Sequence, residues 1–317
     1  MAGEASPERS SPERSSPERS YPERTWVQRS SLALAWTESM FSVLFPSDCL
    51  VCGAPLVNIS RLPVCLDCIH AIHSIAGVVC AICGERLFSA HAVAGPEGEP
   101  RCGLCRRTEP AFARAVAYGS YEGGLRELIH LLKFGGVRPA ANVLGRMLAE
   151  AITGLQPESP EDMAVVPVPL HRTKLRQRGF NQAELIARTA VKLNAAPNRL
   201  RLRAGALERK RETPSQTGLT RHQRRLNLRG AFAVAQPEGV KGREVLLVDD
   251  VYTTGATVSE CARVLRQAGA TKVWVATVAR TLKISAQEVD IRSGSTEELS
   301  CAPGLTGQVP LVRAAGG

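Results

Sequence analysis

Hydrophobic and polar positions change rhythm several times along the chain. Residues 6–25 have no apolar period: Ser-Pro-Glu-Arg-Ser occurs three times and Tyr-Pro-Glu-Arg-Thr follows. Proline at every fifth position denies both helix and sheet, so residues 1–25 are expected to form a disordered repeat tail. From Ser31 to Phe45 apolar residues dominate, interrupted by Thr37 and Glu38, which predicts an amphipathic helix over 26–45. Residues 46–110 are punctuated by cysteine and poor in long apolar runs. Over 111–283 helical and strand rhythms alternate, the signature of a parallel sheet with helices on its faces.

Within that region Leu125, Leu128, Ile129 and Leu132 recur at i, i+3, i+4 and i+7 and mark a lead-in helix. The apolar run from Met163 to Val168 reads as a buried strand, followed by a helix through Gln182–Leu193. A short strand is expected at Ala231–Ala235 and a near-continuous apolar strand at Glu244–Val248. A helix over 256–268 follows with Gly269 as its C-cap, and then a strand at Lys272–Val278. From 284 to 317 the periodicity is lost, and a second disordered tail is expected there; Cys301 lies in it and is set aside as a ligand.

Charge changes this picture at one place. The chain carries a net charge of +10, yet Leu170 to Gly230 alone holds sixteen Lys/Arg against Glu184, Glu208 and Glu212. The remainder is therefore slightly acidic, and the localised excess suits a polyanion such as a diphosphate or a nucleic-acid backbone. No segment reaches the roughly 20 apolar residues that span a bilayer, and the polar first two dozen residues do not read as a signal peptide. The expected compartment is the cytoplasm.

In a reducing compartment closely paired cysteines mean metal before disulfide. Cys49/Cys52, Cys65/Cys68, Cys80/Cys83 and Cys102/Cys105 form four C-x-x-C pairs. Twelve residues separate the first two pairs and eighteen the last two. Two thiolates so spaced on a tight turn reach one tetrahedral ion, and two such turns complete a shell, so two structural zinc ions are expected. Gly53 and Gly84 directly follow second cysteines, where a knuckle favours unusual dihedrals. Consecutive pairing would give tandem ribbons and interleaved pairing a cross-braced module; the first is favoured, because each half is then a self-contained hairpin. Cys261 reads as a small buried hydrophobe.

The segment from Val245 to Thr257 carries the functional argument. An apolar strand ends in Asp249 and Asp250, and Thr253, Thr254, Gly255, Ala256 and Thr257 open directly into a helix. Backbone N–H groups at a helix N-terminus, with three hydroxyls added, make a cradle for one phosphate. Acids at the carboxyl end of a strand sit where open α/β sheets bind ligands. Together they point to a ribose 5-phosphate. The order matches neither the G-K-[ST] of a Walker A loop nor G-x-G-x-x-G.

This segment resembles the 5-phosphoribosyl diphosphate (PRPP) signature of type I phosphoribosyltransferases. From about Tyr118 to Arg280 the chain is similar to the ComF family of competence-associated proteins. The matching residues are Lys133-Phe134, Val166-Pro-Val-Pro169, Arg178-Gly-Phe-Asn-Gln182, Arg211 with Thr213 and Gln216, Arg225 with Asn227, Ala231-Phe232 and the loop. A cysteine-rich zinc module ahead of the domain is also similar to that family. The resemblance implies a type I phosphoribosyltransferase-like α/β fold behind a double zinc ribbon.

It also implies that His171 and Arg172, with Lys174, Arg176 and Arg178 downstream, lie near the diphosphate, and that Lys133 belongs to the PRPP site. Asp249 and Asp250 would orient the ribose. Magnesium would be held largely by the substrate. Residues 207–229 fall where this fold carries its hood; here the hood is basic, and the acceptor stays open. Three functional readings follow. One is a magnesium-dependent phosphoribosyl transfer to an unidentified acceptor. Another is a PRPP-sensing or single-stranded-DNA-binding protein working with a competence helicase or recombination proteins. The third is an adaptor that docks a partner through its zinc module.

Overall fold

The structure, a computed structural model, describes residues 48–56, 61–87, 98–155, 162–194, 199–213 and 220–282. The pentapeptide repeat, the helix expected over 26–45, the tail expected from 284, Gln216 and Cys301 lie outside the described residues. The chain divides into two compact units, Met1–Cys65 and Leu66–Gly317.

The first unit contains one cysteine knuckle. Gly53 N donates to Cys49 O at 2.8 Å and Cys49 N to Ala54 O at 2.8 Å, with a bridge between Asp48 and Pro55 closing the turn. The second unit begins with the short helix α1 (Leu66–His70) and a second knuckle of the same design. In it Gly84 N donates to Cys80 O at 2.9 Å and Cys80 N to Glu85 O at 2.7 Å. Helix α2 (Gly103–Arg107) carries Cys105.

Beyond these lie β1 (Arg114–Ser120), α3 (Gly123–Lys133), α4 (Ala140–Thr153), β2 (Met163–Pro167), α5 (Arg172–Arg178) and α6 (Gln182–Leu193). They are followed by β3 (Leu200–Leu202), β4 (Leu207–Arg209), α7 (Arg221–Leu228), β5 (Phe232–Val234), β6 (Glu244–Tyr252), α8 (Ala256–Gln267) and β7 (Lys272–Arg280). Five strands form a parallel sheet in the order β1-β7-β6-β2-β3. Its centre is apolar on both faces, with Val245 to Val248 and Val275, Ala276 and Val278 fully buried. That double burial is why these strands read as continuous apolar runs rather than alternating ones. The apolar stripe expected on the lead-in helix is the buried side of α3: Leu125, Leu128, Ile129 and Leu132.

Three local expectations are corrected. β6 and β7 run on past Val248 and Val278, because the parallel pairing continues through Asp249↔Thr277, Val251↔Ala279 and Tyr252↔Arg280. The strand expected at Ala231–Ala235 is β5, and it stands outside the main sheet, pairing antiparallel with β4. The C-cap of α8 is Ala268, and Gly269, at φ +95°, takes the left-handed position one residue beyond. Residues 172–178, for which the sequence pattern predicts no element, form α5, with His171 as N-cap and left-handed Gly179 as C-cap.

Among the described residues no helix is long and apolar enough to cross a membrane.

Candidate functional site

The strand order reverses between β2 and β6. From β2 the next strand of the sheet lies on one side, and from β6 it lies on the other. Loops diverge at such a point and leave a crevice beyond the carboxyl ends of the strands. Pro167 is paired with Val248, and Val168 N donates to Val248 O at 2.8 Å, so residues 168–171 leave the sheet beside Asp249 and Asp250. Because β6 extends through both acids, their side chains project to opposite faces. Asp250 is buried and meets Lys133, at the end of α3, whose Nζ lies 2.7 Å from Asp250 Oδ2. Burial works against the Lys133 ammonium, but the charge and hydrogen bond of Asp250, with Asp249 adding, hold it above the usual lysine range. Burial first, and the charge of Asp250 second, push Asp249 up to about 8 against the pull of Lys133. Arg209 and the buried Cys261 both sense the charge of Asp249.

After Tyr252 the chain turns through Thr253, Thr254 and Gly255 into α8. Gly255 has φ +75°, and a Cβ there would lie 2.2 Å from Tyr252 Oη, so no side chain fits. The first turn of α8, with Ala256 and Thr257, offers N–H donors that no side chain caps. Thr254 Oγ1 is buried and has no hydrogen-bond partner among the described residues. Thr253 Oγ1 accepts from Arg224 Nη1 of α7 at 3.3 Å. A buried hydroxyl with nothing to bond, beside uncapped helix donors, is the arrangement a phosphate would satisfy.

Arg178 donates to Gln182 Oε1 and lies over the ring of Phe134 at 5.7 Å. Burial lowers its guanidinium and the charge of Asp250 counters. Lys133, Arg178, Asp249 and Asp250 are thus brought together. His171 Nδ1 accepts from Thr173 N at 3.4 Å and faces Glu212 Oε2 at 3.7 Å; Thr173 Oγ1 donates to the same carboxylate at 3.4 Å. Arg172 is exposed on the first turn of α5.

The hood is the β4–β5 hairpin with α7 inserted. Two of its arginines serve the hood itself. Arg209 donates to Thr213 Oγ1 and lies 5.4 Å over the Phe232 ring. Arg211 Nη2 donates to Asn227 O at 2.7 Å and to Arg229 O at 3.3 Å, closing the C-terminal end of α7.

The eight knuckle cysteines gather consecutively, as Cys49, Cys52, Cys65, Cys68 and as Cys80, Cys83, Cys102, Cys105, with the sulfurs of each set all within 4.8 Å of one another. Cys52–Cys65 and Cys83–Cys102 sulfurs are 3.7 Å apart, far longer than a disulfide. A Zn–S bond of about 2.3 Å implies a tetrahedral edge of about 3.8 Å, so both sets fit zinc. Burial pushes the Cys49 thiol up, but the backbone groups of Cys65, Cys52 and Val51 outweigh it and bring it down to about 6, favouring a thiolate ligand. In the second set, hydrogen bonds from Cys105 and Cys83 pull the Cys80 thiol far down, and those from Cys80 and Cys83 push Cys105 far up. The second set is fully buried and belongs to the same apolar cluster as Phe112, Val245 and Tyr252.

Comparison with known proteins agrees with both halves of this description. Residues 40–106 match the double zinc ribbon domain and residues 190–298 the phosphoribosyl transferase domain. The DNA utilization protein YhgH of Escherichia coli (strain K12) is 33% identical over 244 residues, covering 75% of this chain and 98% of that protein. Competence protein F of Haemophilus influenzae is 32% identical over 243 residues, covering 74% and 98%. The chain belongs to the ComF family. Competence protein ComFC of Bacillus subtilis is a more distant relative, 27% identical over 209 residues, covering 65% of this chain and 79% of that protein.

For a ComF-family chain, three features of the site are absent from its sequence pattern. Arg280, the last residue of β7, is buried against Tyr252 and the second knuckle. Glu212 reaches His171 from the hood, and Arg209 is packed where it senses Asp249. A faint signal existed for Arg280 alone: an arginine closing an otherwise apolar strand, at the end of the sheet where ligands bind.

Proposed function

We propose that this ComF-family chain binds PRPP in the crevice between β2 and β6 and acts in DNA uptake or DNA processing. The observation that carries the reading is the unpartnered Thr254 hydroxyl beside the uncapped start of α8, directly downstream of Asp249 and Asp250. In it, residues 253–257 hold the 5′-phosphate, Asp249 and Asp250 receive the ribose hydroxyls, and Lys133 keeps Asp250 charged and oriented. His171, Arg172 and Arg178 face the diphosphate, where positive charge favours its departure. Magnesium, when bound, neutralises the diphosphate and is carried mainly by PRPP itself. Transfer of the phosphoribosyl group goes to an acceptor that the hood chooses. The DNA context rests on the names of its relatives, a DNA utilization protein and a competence protein.

PRPP is expected to raise the melting temperature of the wild-type chain and to leave that of Asp249→Asn/Asp250→Asn unchanged. Equal shifts would remove the assignment. Diphosphate release from labelled PRPP across a panel of amine and base acceptors separates transfer from binding alone. A single-stranded-DNA grip by the hood is the weaker alternative, because Arg209 and Arg211 are already committed to internal partners.

A further inference from the structure

We propose that the second zinc ribbon is coupled to the phosphate loop through Arg280. A phosphate held at 253–257 and a zinc ion held by Cys80, Cys83, Cys102 and Cys105 would then each raise the affinity for the other. The inference deepens the PRPP reading and rests on the loop binding a phosphate group. Arg280 is 2% exposed. One guanidinium nitrogen, Nη1, donates to the backbone carbonyl of Cys83, itself one of the four thiol ligands, and Nη2 pairs with Glu85 Oε2 at 2.8 Å. Its Nε finds no partner among the described residues. This buried charge therefore leans on groups that exist in place only while the knuckle is folded. Between them sits Gly84, where a Cβ would stand 3.0 Å from Ala115 O, and Ala115 N donates to Ile82 O at 2.7 Å. The knuckle is clamped between the β1 backbone and Arg280.

The other side of Arg280 reaches the loop. Its guanidinium lies 4.7 Å over the Tyr252 ring, and that ring occupies the space beside Gly255 that a Cβ would fill. Tyr252 thus packs directly against the left-handed turn from which the first N–H groups of α8 project. Close-packed interiors transmit small displacements instead of absorbing them. Opening the knuckle would remove the Cys83 carbonyl and Glu85 from a buried cation, displacing Arg280 and with it the ring against the loop. Cys83, Cys105, Tyr252 and Thr254 also line a single cavity of about 740 Å³, so the ribbon and the loop form parts of the same wall. Arg280 is accordingly a positioning residue for the phosphate loop.

Reciprocity supplies the test. The full chain, loaded with zinc, is titrated with a competing chromogenic chelator at equilibrium, with and without saturating PRPP and with excess magnesium to keep PRPP from binding zinc. One zinc equivalent is expected to tighten by about fivefold or more with PRPP present. Arg280→Lys keeps the charge and loses the fork and the stack. It should keep its zinc, bind PRPP more weakly by calorimetry, and show no tightening. A purely structural Arg280 would instead lower the melting temperature and leave the tightening intact, which overturns the proposal. Should Arg280→Lys not fold, Tyr252→Leu reads the same link.

Unchanged zinc affinity in a wild-type chain that binds PRPP overturns the coupling and spares the PRPP reading. A wild-type chain that does not bind PRPP removes that reading; the competition is then run with inorganic phosphate, and unchanged zinc affinity there overturns the coupling too.

Discussion

Asp249 concentrates the site's electrostatics in one side chain. Two acids are adjacent on a buried strand, and one lysine neutralises one of them, so the second charge is costly and Asp249 rises to about 8. Between the ordinary value of 3.8 and about 8, the folded chain keeps a proton on Asp249 that the unfolded chain has released. Its contribution to stability is therefore complete at low pH, falls as pH rises through that window and is level above it. Asparagine at 249 cannot titrate. The wild-type melting temperature, measured from about pH 5 to about pH 8, is expected to decline relative to that of Asp249→Asn. A constant difference would mean that Asp249 is ionised throughout.

At the scale of elements, the hood shows how a basic stretch can be consumed by its own architecture. Helix α7 is short, and its last carbonyls have no helical partners. Arg211 bonds one of them, Asn227 O, and also Arg229 O just beyond the helix, while Arg224 ties the same helix to Thr253. Arg211→Ala leaves those carbonyls to water and is expected to cost about 1 kcal/mol, the usual net worth of such bonds, with the melting temperature falling by about 2–4 °C. Thermal melting checks it. If single-stranded DNA binds as well, Arg209→Ala and Arg211→Ala should act on it through hood stability, and should not reduce the slope of affinity against salt as a lost phosphate contact does. The net charge of this stretch was plain in the sequence, but which arginines face solvent depends on the fold of the hairpin around α7.

At the scale of the whole molecule, a metal-built module and a sheet-built domain share one chain. Both cysteine sets have tetrahedral spacing, so metal analysis of the purified chain is expected to find two zinc per chain, and one or none would remove the double-ribbon assignment. Chelation should unfold the ribbons first, because metal stands in for a core there. What the sequence determined by itself is whatever lies close together along the chain: the C-x-x-C pairs, the apolar strands, and the run from β6 through the threonine loop into α8. These depend on local geometry and short-range period, which a contiguous segment carries in its residue order. Tertiary structure alone decided the rest. The strand order set the crevice between β2 and β6, the pairing with β7 carried β6 through both acids, and the fold brought Lys133 to Asp250. It also brought Arg280 to Cys83, 197 residues away in sequence. Such contacts follow from which faces pack together, and no local pattern of residues encodes the partner of a buried charge.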